Sequence, residues 1–201
     1  MRIATLPLRP LQTRSLPDYF RDRLHQGAAE QSIPTDEDTL WYLGELMSRF
    51  ALSDHLFDAN AGRRGIRPLA LLYADARESA DEQHRCRVLQ RLGDLALFLG
   101  ALYPEIFARR GVRRDYFVGM GSSAYDYLAD NARANRAVFR RLTHRFAHWL
   151  NLIAFAAERE AGMSAGDILR LHTLWRETGN PRLAEQLRLL GIHPDTCHAV
   201  H

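Results

Sequence analysis

Apolar residues recur along this chain every three to four positions, as in Leu40, Leu43, Met47 and Phe50, or Val138, Leu142, Phe146, Trp149 and Ile153. That period lines one face of an α-helix. The marks between such runs are those of helix ends. Ser15 with Asp18, Thr35 with Asp38, Ser79 with Glu82 and Ser164 with Asp167 each place a hydroxyl three residues before a carboxylate, a spacing that satisfies the exposed amides of a first turn. Pro68, Pro104 and Pro181 stand where a first-turn proline is tolerated, and Gly111, Gly162, Gly179 and Gly191 follow periodic runs as left-handed caps do. These signals predict helices over 15–29, 36–51, 68–76, 80–102, 104–109, 115–129, 134–160, 165–178 and 181–190, and no strand pair. The fold class is therefore all-α, a single-domain bundle of about eight or nine helices.

Two segments, Leu95 to Leu102 and Asn151 to Ala157, are apolar all round. A helix of that kind is usually surrounded by others, so the helices near 80–102 and 134–160 are expected to be central and packed on each other. No repeat or low-complexity linker divides the chain, and residues 1–201 read as one domain. The segment from Asp58 to Arg67 is the best candidate for a connector, and 192–201 for a loose tail.

Composition narrows the class. A chain of 201 residues, with 46% hydrophobic and 25% charged side chains, matches ordinary globular proteins. Its strongest apolar run, Leu95 to Tyr103, stops at Pro104, well short of the roughly 20 residues a spanning helix needs. Residues Met1 to Arg14 show no secretory apolar core, and Cys86 and Cys197 lie far apart. Both features favour a cytoplasmic protein with reduced thiols. The formal charge is +3, and all 27 basic residues are arginine. That bias fits the codon usage of a GC-rich bacterial genome better than a phosphate-binding surface, since many of the arginines stand at helical spacing from Asp or Glu.

Each chemical candidate has a structural alternative. Gly119-Met120-Gly121 followed by Ala124 has nucleotide-loop spacing, but no acidic residue stands 20 positions on, and the simpler expectation is that Gly119 and Ser123 admit a neighbouring helix. His144 and His148 share one helix face at the metal-binding spacing, without the further donors that zinc requires. His172 faces the core side of its helix, as a metal or haem ligand or as a hydrogen-bonded core imidazole. Asp94, beside the most apolar stretch, must pair or shift its pKa, and Arg91 and Arg87 on its own helix are the expected partners. His193, Cys197, His198 and His201 crowd the tail in no standard zinc spacing. The doublets Arg63-Arg64, Arg109-Arg110, Arg113-Arg114 and Arg140-Arg141 read as a basic patch or as solvated helix ends. The hairpin around Gly179-Asn180 lacks the polar side chains that read bases.

No nucleophile with a nearby base, carboxylate pair or metal quartet is legible. The expected function is a non-enzymatic regulatory module that binds another protein or itself, with no cofactor. The alternative is a binding protein or an enzyme that holds a small molecule or metal in a pocket of Asp94, Tyr103, Tyr116, Tyr125, His144 and His148. A third reading is nucleic-acid binding through Arg109, Arg110, Arg113, Arg114, Arg140 and Arg141.

Overall fold

The computed structural model describes residues 15–51, 67–157, 165–189 and 192. In chain order the helices are α1 (Leu16–Glu30), α2 (Glu37–Ala51), α3 (Leu69–Glu78), α4 (Glu82–Leu102), α5 (Pro104–Ala108), α6 (Arg114–Asn131), α7 (Arg136–Thr143), α8 (Phe146–Ala156), α9 (Ala165–Thr178) and α10 (Pro181–Leu189). The all-α bundle read from periodicity is the fold observed. The expected connector at 58–66 lies outside the described residues. So do the tail donors His193, Cys197, His198 and His201. Ile192, expected in the loose tail, is instead fully buried and donates its amide to the Leu187 carbonyl at 2.9 Å.

Helix starts show which caps the chain uses. Ser15 Oγ accepts from the Asp18 amide at 3.3 Å, as its spacing suggests. Two other starts differ. The cap of α2 is Asp36, which accepts from both the amide and hydroxyl of Thr39, and the cap of α4 is Asp81, which accepts from the Gln83 amide. Aspartate is as good a cap as the hydroxyl residues at 35 and 79, and here it stands one residue past Thr35 and two past Ser79, nearer the apolar stripe.

The long helix expected over 134–160 is broken. His144 is extended and Arg145 is left-handed, with φ of 63°, so α7 ends and α8 begins anew. The interruption opens backbone carbonyls at the end of α7, and the Trp149 indole N–H fills that role by donating to Arg141 O and His144 O at 3.0 and 3.2 Å. The apolar stripe runs through the break unaltered, with Val138, Leu142, Phe146, Trp149 and Ile153 all buried. Periodicity survives a kink that leaves the facing residues in place.

Helix α4 is the axis of the bundle, with every residue from Leu92 to Ala101 buried. It touches α8, as expected of the two most apolar segments, but its most extensive partner is α6. Glycine explains this. A β-carbon on Gly93 would meet the Tyr125 ring at 2.7 Å, and one on Gly121 would overlap the Phe146 ring and lie 3.0 Å from Ala96 Cβ. Gly119, expected to provide the close approach, is exposed with nothing within 4 Å. The residue that admits the neighbour is Gly121, half a turn away.

Candidate functional site

The most polar point of the core is Asp94, which is 1% exposed in the middle of α4. Its partners come from other helices. Tyr42 of α2 and Tyr125 of α6 both donate to Oδ1, at 2.6 and 2.7 Å, and Arg49 of α2 donates through Nη2 to Oδ2 at 2.7 Å. Tyr42 and Arg49 are seven residues apart, two turns on one face of α2. Phe139 of α7 braces the pair of phenols, stacked on Tyr125 at 5.5 Å and edge-on to Tyr42 at 5.6 Å. Burial pushes the Asp94 carboxyl above its ordinary range, while Arg49 and the two phenols pull it back. The expected pairing with Arg87 or Arg91 on α4 is replaced by pairing across helices, because Tyr42, Tyr125 and Arg49 already take up both carboxylate oxygens.

What this cluster does chemically is hold three helices together. Three donors occupy the carboxylate and the surrounding residues leave it almost no solvent contact. A buried charge met this way is structural unless a substrate can reach it.

The phenols have a consequence for pH. Burial first, and then Asp94, raises Tyr42 and Tyr125 well above the ordinary value of 10.0. The folded state therefore prefers them neutral. Their contribution is fully present below pH 10 and is lost as the pH rises toward the folded value. An alkaline titration is expected to show helix loss above pH 10, with part of the phenolate absorbance of the seven tyrosines appearing only on unfolding. Ionisation of all seven with the helical signal intact would contradict it.

The other expected site residues do not join Asp94 and Tyr125. Tyr103 ends α4 and packs edge-on to Phe98 at 6.1 Å, where burial raises its phenol. Tyr116 is 37% exposed on α6. His144 and His148 are exposed and fall on either side of the α7–α8 break, so they no longer share a helical face. Among the described residues no group of three or more His, Cys, Asp or Glu is placed to hold a metal. His172 is buried at 2% beside the Trp175 ring, its Nδ1 has no hydrogen-bond partner among the described residues, and burial lowers its pKa.

Several arginines of the expected basic patch are held by local acceptors. Arg113 approaches Asp115 at 3.7 Å, Arg140 pairs with Asp130 at 3.1 Å, and Arg141 pairs with Asp36 at 2.6 Å. Arg114 donates to the Asn151 side chain and to Ala147 O. Arg109 and Arg110 follow α5 on the surface. The spread of these partners over α2, α6 and α8 argues for solvated helix ends.

Two surface features had no signal in the sequence. On α2, Trp41 is 55% exposed, with Asp38 and Glu45 on the same face. Concavities of about 460 and 200 Å³ flank it, the first toward Asn135 and Val138, the second toward Ser15 and Arg21. Between α4 and the turn joining α6 to α7 lies a separate cleft of about 420 Å³, floored by Leu128 and Phe139. Within the described residues, no helix is long and apolar enough to cross a membrane. No protein-family model, curated protein or solved structure matches the chain.

Proposed function

We propose that this protein is a non-enzymatic binding module that engages a cationic segment of another protein on the outer face of α2. The observation that supports the reading is Trp41, a large apolar side chain left 55% exposed between two concavities. Tryptophan with a hollow on each side suits an interface anchor, because it removes much apolar area from water at a small cost in side-chain freedom. Its neighbours specify the partner's charge. Asp38 and Glu45 form no ion pair among the described residues, the Arg21 charge is met by Asp18 at 3.0 Å, and Arg136 is turned to the partially negative carbonyl end of α6, where it donates to Asp130 O and Ala132 O. The stripe therefore offers negative charge beside an aromatic face, which suits an arginine or lysine stacked on the ring. The saturated Asp94 cluster supports a non-catalytic role, since the most perturbed carboxylate is closed to any substrate.

The test compares wild-type protein with Trp41→Ala and with Asp38→Lys/Glu45→Lys in binding to an array of peptides that combine arginine with apolar residues. Wild type is expected to bind a subset, and both variants to lose at least roughly tenfold in affinity while melting normally. Equal binding by all three proteins would overturn the reading. Light scattering run in parallel separates a foreign partner from a second copy of this arginine-rich chain.

A further inference from the structure

We infer that the cleft between α4 and the α6–α7 turn binds a small organic anion with an apolar body. Its volume of about 420 Å³ falls within the range of small-molecule pockets. Leu128 and Phe139 give it an apolar floor, and the carboxamides of Gln90 and Asn135 stand on its walls. Arg87 comes from α4 and Arg133 from the turn, so two arginines line one cavity from two elements.

The electrostatic sign follows from how each charge in the cleft is met. The cleft's carboxylate, Glu82, already accepts from Arg85 at 3.0 Å and from the Tyr127 hydroxyl at 2.9 Å. Arg133 directs its donors at the side-chain amide of Gln83, a neutral group that leaves its charge uncompensated. Arg87 reaches Asp81 only at 3.9 Å, across a pair whose side chains are 65% and 63% exposed. The carbonyl end of α6, which would oppose an anion, is covered by Arg136, whose Nε donates to Ala132 O at 2.7 Å. What remains is a net positive lining over an apolar floor. A carboxylate, sulfonate or phosphate can accept forked hydrogen bonds from the guanidinium groups, while an aromatic or aliphatic body covers Leu128 and Phe139. The site lies apart from the Trp41 stripe and does not depend on a protein partner.

Anilinonaphthalene sulfonate, an aromatic anion whose fluorescence rises in apolar surroundings, is a suitable probe for titration of the intact protein. One site is expected, weakened by salt, with the uncharged phenylnaphthylamine binding far less. Arg133→Gln and Arg87→Gln should each weaken the dye roughly tenfold. Arg133→Lys should recover part of the loss, and Ala134→Trp should abolish binding by filling the cleft. Positions 87, 133 and 134 are all exposed, so the fold carries these changes. Absence of dye binding, equal binding of the uncharged analogue, or an affinity unaltered in the glutamine and tryptophan variants would overturn the inference. Trp41→Ala should leave dye affinity unchanged, which keeps this result distinct from that of the peptide array.

Discussion

Replacing Asp94 with alanine is expected to cost the fold about 3 to 4 kcal/mol, the range for breaking a buried, hydrogen-bonded charge pair by removing one partner. For a chain of this length that is a fall in melting temperature of roughly 10 °C. The loss is uneven among the partners. Arg49, whose side chain is 42% exposed, can turn to water, but the Tyr42 and Tyr125 hydroxyls lie deep in the core and lose the acceptor they share. Asp94→Asn keeps an acceptor for the phenols and should lose only about half as much, since a donor left unmet costs more than a hydrogen bond weakened. Arg49→Met tests the charge. It removes the strongest pull against burial on the Asp94 carboxyl, so the folded pKa climbs further above the unfolded one. A group with a raised folded pKa contributes its stability below the unfolded value and loses it as pH rises through the folded one. Arg49→Met should therefore cost the fold less at acid pH, where the carboxyl is protonated, than at neutral pH when compared by urea denaturation. A pH-independent loss in that variant, or an Asp94→Ala protein as stable as wild type, would show that the cluster does not tie α2, α4 and α6 together.

Which parts of this arrangement could be read in advance follows from the range of each interaction. Helix positions were legible because the stripe that buries Leu40, Leu43, Met47 and Phe50 is a local pattern, and the observed ends of α1, α2 and α4 fall within a residue or two of those expected. The break at His144 and Arg145 left no mark, because the chain there changes direction without shifting the buried face and no proline or glycine signals it. Asp94 stands out as a carboxylate among leucines, and Tyr125 is one of the residues expected to share a pocket with it. Tyr42 and Arg49 were missed since they lie 52 and 45 residues away, and nothing in a single sequence links such distances. Their joint signal was faint but real: a tyrosine and an arginine two turns apart, at the edge of the apolar stripe of α2. Trp41 and the cleft arginines carry no sequence signal of exposure, which depends on what the rest of the chain leaves uncovered.

The glycines of α4 and α6 allow a sharper trial, because the same substitution should have opposite signs at nearby positions. Alanine in place of a glycine within an exposed helix ordinarily gains about 0.5 to 1 kcal/mol by restricting the unfolded chain. Gly119→Ala should show that gain, since a β-carbon there meets nothing within 4 Å. Gly93→Ala should instead lose about 2 to 3 kcal/mol, the usual cost of forcing a methyl into a packed core. The methyl would press on the Tyr125 ring at 2.7 Å, and that ring cannot retreat: its hydroxyl is anchored on Asp94 and its face is stacked on Phe139. Gly121→Ala should fall on the same side, because Phe146 and Ala96 close the space from α8 and α4. Thermal or urea unfolding of the three variants decides the matter. A Gly93→Ala protein at least as stable as wild type would mean that α4 and α6 are not held at the separation glycine permits. The phenol of Tyr125 would then be able to move away from Asp94, and the polar cluster would no longer fix the geometry of the core.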